Sequence, residues 1–372
     1  MVFGPRACSA GILFVWNFMK PLYVANDTHI GVIRGGTTPF TSYKLRQEVL
    51  QGFGNLLDKC KGGNVLLNGD IFDSSNVLFA DLWGATEACS KFLAADPTAT
   101  MTAILGNHDL MRNTANMSSF GLFCKILESS FGSRFISVCE PAAMPEYNAY
   151  IIPHLLNQDR FNEALKDVPA CSYLFLHCNY SNKFAVQSDA SLNLSEDQAR
   201  ACKAERIIIA HEHHARTALR GKVVITGNQL VTAVADCLLE TEKSMLRITL
   251  AEGIERIPVW QAEGDFDQQD WRSLKDTGAR FIRVTGNATA AEASEVVSAI
   301  SRFRSKSEAL VITNATTIEG YEDQEELALN AENITSFDVK SALMELLSED
   351  ERVVVERLLN PLLVDVKETE NV

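Results

Sequence analysis

"TAILGNHDL", residues 102–110, joins an apolar run to four residues, Gly106, Asn107, His108 and Asp109, that strand packing alone does not select. The run up to Leu105 suits a buried strand, whereas glycine, asparagine and aspartate suit a turn. A buried strand ending in a polar corner is a unit of α/β architecture, and it recurs through the first 230 residues. Strand-like runs lie at "PLYVA" (21–25), "NVLLN" (64–68), "TMTAIL" (100–105), "AYIIP" (149–153), "SYLFL" (172–176), "RIIIA" (206–210) and "KVVIT" (222–226). Between them the spacing is helical. Leu45, Val49, Phe53, Leu56 and Leu57, at steps of three and four, predict one apolar stripe on a helix over 43–59.

The corners after these runs share a chemistry. They read "NDTHIG" (26–31), "NGDIFD" (68–73), "LGNHD" (105–109) and "AHEHH" (210–214), and a fifth, "LFLHCN" (174–179), puts His177 at a strand end. Six of the seven histidines fall in these corners, where open α/β sheets place their ligands. Aspartate, asparagine and histidine are oxygen and imidazole donors, suited to manganese, iron, zinc or magnesium rather than to thiolate-loving metals. Asp27 and His29, two residues apart on one extended segment, are expected to point to the same side, as are His211 and His213. Taken singly, each corner has a plain structural reading in turn propensity or positive φ. The ordered set of five points instead to a site for two metal ions. His154 lies outside the set and reads as a structural or surface residue.

The motifs D-x-H, G-D-x-x-D, G-N-H-D, a lone His after a strand and a variant of G-H-x-H resemble those of the calcineurin-like metallophosphoesterase superfamily, over about residues 20–260. Within it, "DTHIG" followed by a long helix, "NGDIFD", "GNHD" and "IIPH" resemble the SbcD-type nuclease subunits, including the T-even phage recombination endonuclease subunit. The resemblance implies a four-layer sandwich of two mixed sheets flanked by helices, with a small βαβ cap and a helical C-terminal tail. It implies two divalent ions, manganese first, with magnesium or iron as alternatives. Asp27, His29 and His213 would hold one ion, Asp70 would bridge, and Asn107, His177 and His211 would hold the other. His108 would be the general acid, oriented by Asp73, with Asp109 as the nearby alternative. Ala210 stands where the family usually has glycine, so the backbone there is expected to do without a positive φ, and His214 is an extra histidine.

The chemistry expected of such a site follows from charge. A phosphodiester repels nucleophiles; two cations neutralise its oxygens and lower the pKa of a bridging water, and the resulting hydroxide attacks phosphorus in line. An imidazole has the pKa range to protonate the leaving sugar oxygen.

The 372 residues carry a net charge of −14, but residues 319–372 hold 15 acids against 4 bases, leaving only −3 for the first 318. The acidic total therefore does not exclude a nucleic-acid partner. Two more strands are expected near 243–260, and the polar "DFDQQDWRSLKDTG" (265–278) reads as a boundary. A βαβ unit follows, with strand 280–286, helix 290–303 and strand 308–316. The domains expected are a metallophosphoesterase (nuclease) domain over 19–264, a cap over 265–318, an acidic linker over 319–334 and a helical tail over 335–372. Residues 1–18 read as an extension ahead of a natural start at Met19.

In the cap, Arg280, Arg283, Arg302, Arg304 and Lys306 form a basic cluster, of which Arg302, Arg304 and Lys306 are the expected DNA contacts. In the tail, Val339, Leu343, Leu346 and Leu347 line one helix face and "SEDE" (348–351) starts another helix, an apolar surface expected to dock an SbcC-type ATPase. The expected protein is thus a two-metal-dependent DNA nuclease subunit, a homodimer working in the cytoplasm on DNA. Nine scattered cysteines fit that compartment, and no run is long enough to cross a membrane. The rivals are a phosphomonoesterase or cyclic-nucleotide phosphodiesterase with the same metals, and an inactive scaffold, which the full ligand set and His108 oppose.

Overall fold

A computed structural model describes residues 20–111, 116–182, 191–249 and 251–319. The chain divides into two units, Met1–Tyr321 and Glu322–Val372, and every described residue belongs to the first. The expected N-terminal extension, most of the acidic linker and the helical tail lie outside the described residues.

Two six-stranded mixed sheets form the body. In spatial order the first runs Gly253–Gln261, Glu242–Thr249, Leu22–Ala25, Asn64–Asn68, Met101–Ile104 and Phe135–Val138. The last four are mutually parallel, while Glu242–Thr249 pairs antiparallel with both its neighbours. The second runs Arg216–Ala218, Val223–Ile225, Arg206–Ala210, Tyr173–His177, Ala149–Ile152 and Ala142–Met144, with a parallel centre and antiparallel edges.

Alternation along each strand decides which face packs where, because successive side chains point to opposite sides. Leu22, Val24, Leu66 and Ile104 of the first sheet meet Ile151, Phe175, Ile208 and Val224 of the second in a core between the sheets. The intervening residues Tyr23, Ala25, Val65 and Leu67 face outward onto the helices Pro39–Lys59, Phe79–Ala95 and Ser119–Phe131. Leu174, Leu176, Ile207 and Ile209 face the opposite way, onto Phe161 and Ala199 of the helices Gln158–Lys166 and Glu196–Ala201. The result is helix, sheet, sheet, helix: the four-layer α/β sandwich that the resemblance implies.

The long helix starts where sequence chemistry allows. Thr38 and Thr41 form a capping box that spans Pro39, whose missing N–H costs nothing at the first helical position. The expected stripe of Leu45, Val49, Phe53, Leu56 and Leu57 is buried, each side chain contributing roughly 1.5–3 kcal/mol on full burial.

A third, all-parallel sheet orders Phe266–Asp270, Phe281–Thr285 and Val311–Asn314. The polar stretch expected as a boundary thus opens with a strand: Phe266–Asp270 sits at the sheet edge, where polar side chains meet solvent and the ladder supplies the backbone partners. Helix Ala293–Arg304 covers one face through Val296 and Ile300 against Ile282, Val284 and Ile312. Phe281, Leu310 and Val311 join the core beneath the long helix, so the βαβ unit shares apolar packing with the body. Its backbone also reaches the loop after the first corner, where the carbonyl of Gly36 accepts the Ile312 N–H at 3.1 Å. A Cβ on Gly36 would stand 2.4 Å from the Ile312 carbonyl oxygen, so this contact needs glycine.

Candidate metal centre

The five corners emerge at the C-terminal ends of parallel strands in both sheets and converge there. The first two corners run side by side beyond their strands: Asp27 N donates to Gly69 O and His29 N to Asp70 O, both at 3.1 Å, and Ile30 N to Ile71 O at 2.9 Å. The expectation that Asp27 and His29 share a side through strand alternation is corrected. Both have left-handed backbones, φ 49° and 45°, as does Asp70 at 48°, so a looped segment aims them rather than an extended one. Such strained backbone in non-glycine residues collects at functional sites.

Donor atoms lie within 4.8 Å of one another inside each of three groups: Asp27, His29 and His213; Asp70, His177 and His211; and His29, Asp73 and His108. All the metal-ligating candidates named from the sequence other than Asn107 fall in the first two groups. Asn107 joins the second through its Oδ1, 2.9 Å from both His177 Nε2 and His211 Nδ1. His211 and His213, two residues apart, fall in different groups. Asp27, His29, Asp70 and His177 are buried, Asn107, His211 and His213 half-buried and His108 exposed, so the centre is a buried floor with a polar rim.

Two glycines are fixed by this packing. A Cβ on Gly106 would stand 2.2 Å from both the backbone N and Oδ1 of Asp70, and one on Gly69, at φ 85°, 2.1 Å from His177 Nδ1. Ala210 stays in the strand opposite His177, and the positive φ at this corner is carried by His211 itself, at 91°. The His211 N–H then points at the Asp27 carboxylate, 3.1 and 3.0 Å from its two oxygens.

His29 and His213 test whether a cation fits. His29 Nδ1 stands 3.2 Å from Asp73 Oδ1, and His213 Nδ1 stands 2.8 Å from Asp236 Oδ1. The Asp236 carboxylate, hydrogen-bonded to His213, places the proton of a neutral ring on Nδ1, and the Asp73 carboxylate beside His29 Nδ1 favours the same tautomer there, so the two Nε2 atoms face each other 3.1 Å apart beside the Asp27 carboxylate. Two nitrogens each about 2.1 Å from one cation, at right angles, are about 3 Å apart. The donor set therefore fits a divalent ion. In the second group His177 donates from Nδ1 to the Asn68 carbonyl at 3.0 Å and turns Nε2 to Asp70 Oδ2 at 3.1 Å.

The electrostatics favour positive charge. Burial alone would raise the Asp70 pKa, but His177, His108 and His29 around it hold the carboxyl well below its ordinary range. Burial would lower His177, and the Asp70 carboxylate instead holds it up at about 9. Burial likewise opposes the charged form of His108, which Asp70 and the Asp73 carbonyl raise above its ordinary value. His29 is lowered by its burial.

The roles expected around His108 are redistributed. Its Nδ1 donates to the backbone carbonyl of Asp73 at 2.7 Å, while the Asp73 carboxylate engages His29 and Arg34. Asp109 is fully buried and accepts the backbone N–H groups of Ile71, Phe72 and Gly106, tying the second and third corners together. His214 is outside the donor groups, 3.9 Å from Glu240, and His154 is buried, its N–H on the Leu105 carbonyl. Asp236 and Arg34 were not found from sequence: neither belongs to a motif, and only closure of the fold brings them to the histidines.

Of the basic cap residues, Arg280 is paired with Asp265 and Glu48, and Arg304 donates to the Ile312 carbonyl. Arg302 and Lys306 are exposed, and Arg283 is half-buried. No helix among the described residues is long and apolar enough to cross a membrane.

Among solved structures, the chain is similar to TT1561 of Thermus thermophilus, at 12% identity over 65% of this chain and 100% of that one, with a TM-score of 0.38. It is also similar to an archaeal phosphodiesterase, at 11% identity over 64% of this chain and 99% of that one, with a TM-score of 0.33. No protein-family model matches, and no curated protein does. Both likenesses fall below a TM-score of 0.5, and the chemistry assigned to this chain rests on its own residues.

Proposed function

We propose that the chain is a divalent-metal-dependent phosphodiesterase of the metallophosphoesterase type, acting on DNA as an SbcD-like nuclease subunit. The observation that carries the reading is the pair of adjoining donor groups, Asp27 with His29 and His213, and Asp70 with His177 and His211, on one floor. Bound cations supply charge neutralisation at the phosphate oxygens and a water acidified toward neutral pH. The chain's own residues do the rest. Asp27, His29 and His213 would hold one ion, Asn107, His177 and His211 the other, and Asp70 would serve both.

His108 stands at the exposed rim with its Nδ1 fixed on the Asp73 carbonyl. That bond leaves Nε2 as the atom that hands a proton to the leaving sugar oxygen, and the ring recovers the proton from solvent. The backbone N–H of His108 donates to Asp70 Oδ1 at 2.9 Å, which couples the acid's position to the shared carboxylate.

The choice of DNA rests on the motif set and on the exposed Arg302 and Lys306, since Arg280 is already neutralised within the fold. The acidic, apolar tail is the proposed dock for an SbcC-type ATPase, and a chain ending at Gly320 is expected to keep cleavage and lose that partner. The test is cleavage of end-labelled duplex and circular single-stranded DNA with manganese, beside a generic phosphomonoester. Manganese-dependent DNA cleavage with the monoester spared is the expected result. Hydrolysis of the monoester alone would identify a phosphomonoesterase, and inertness toward all three an inactive scaffold.

A further inference from the structure

Behind the converging His29 and His213 rings, six side chains close a ring of polar contacts. Asp73 Oδ1, beside His29 Nδ1, accepts from Arg34 Nη1 at 2.9 Å, and Arg34 Nη2 donates to Thr232 Oγ1 at 3.2 Å. The Thr232 hydroxyl spends its single proton on Asp236 Oδ2 at 3.2 Å, and Asp236 Oδ1 faces His213 Nδ1. Thr232 and Asp236 are buried, and the Arg34 side chain is only 18% exposed.

We propose that Arg34 is a positioning residue for the first cation site, fixing the aim of both histidine ligands at once. Its guanidinium reaches both halves of the ring, Asp73 directly and Asp236 through Thr232. A planar fork with several fixed donors can span two acceptors in this way, and a lysine ammonium on a flexible stem cannot hold the same geometry. The loop that presents Arg34 is itself held, because the Gly36 carbonyl accepts the Ile312 N–H from the third sheet. The second group is oriented by other contacts, those of His177 with the Asn68 carbonyl and of Asn107 with His177 and His211. Loss of Arg34 therefore weakens one ion and spares the other. This rests on the two-cation reading given above.

The experiment is calorimetric titration of manganese into the full chain, wild type and Arg34→Gln, with circular dichroism as the check on folding. Two sites are expected in the wild type, and in the variant one weaker by about 10- to 100-fold with the other unchanged, the size typical of losing a partner behind a ligand. Thr232→Val, which removes the hydroxyl link to Asp236, is expected to weaken the same site, so the inference survives a misfolded Arg34→Gln. In a His29→Ala background, where the first site is already lost, Arg34→Gln should change nothing further. Equal weakening of both sites, or of neither, in folded variants would overturn the assignment. A wild-type chain that binds no manganese would contradict the two-cation reading and carry this inference with it.

Discussion

His29 and His213, 184 residues apart in the chain, meet with their Nε2 atoms 3.1 Å apart, each with a carboxylate beside its other nitrogen. The two carboxylates differ in their other duties. Asp73 also holds Arg34, whereas Asp236 caps the backbone, accepting the N–H groups of Thr232 at 2.9 Å and Ala233 at 3.0 Å. Burial opposes the ionised form of Asp236, yet His213 and these donors hold its pKa far below the usual carboxylate range.

Asp236→Ala should therefore cost both stability and metal. Two buried or half-buried N–H groups lose their partner, at about 1–3 kcal/mol each, and His213 loses its orientation. A lowered melting temperature together with weaker manganese binding is expected; an unchanged manganese isotherm would show that Asp236 serves the fold alone.

His108→Ala should reduce turnover by about 10²–10⁴-fold while leaving metal content at the wild-type level, because the ring is assigned a proton and not an ion. Metal analysis beside a rate measurement decides it. Loss of one equivalent of metal would make His108 a ligand.

Gly106→Ala should be disproportionately damaging for one methyl group. The added Cβ lands 2.2 Å from Asp70 Oδ1 and from its backbone nitrogen, so either the third corner or Asp70 must move. A cost of about 1–3 kcal/mol is the ordinary size of such overpacking, read as a drop in melting temperature. Full stability and full activity in that variant would contradict the packing described.

Much of this site was legible in the sequence because strand ends, turn residues and histidines coincide: "GNHD" and "NGDIFD" announce both a corner and a ligand. The body was legible for the same reason, as short continuous apolar runs such as Leu22–Ala25 and Arg206–Ala210, bounded by polar corners, suit strands buried on both faces. Edge strands escaped. Arg216–Ala218 and Phe266–Asp270 are largely polar and owe their conformation to a neighbour's backbone rather than to their own pattern. The backing residues escaped as well. Asp236 and Arg34 carry no local signal, and the Asp73 contact to His108 runs through a carbonyl oxygen, which every residue type possesses. Loop strain was equally invisible, since a positive φ at His211 follows from the corner's closure on Asp27 and not from residue type.

Asp70→Ala should lower the occupancy of both ions, unlike removal of any single histidine. Asp70 contacts His177 and anchors the His108 N–H, and its charge acts on His29 as well. Manganese titration should show two weakened sites. Full retention of either would end its shared role.

The most direct test of the two-cation centre is anomalous scattering from crystals of the full chain soaked in manganese. Two peaks are predicted on the buried floor, one among Asp27, His29 and His213 and one among Asp70, Asn107, His177 and His211, with Asp70 between them. A single peak, or manganese only at sites away from these side chains, would contradict the account.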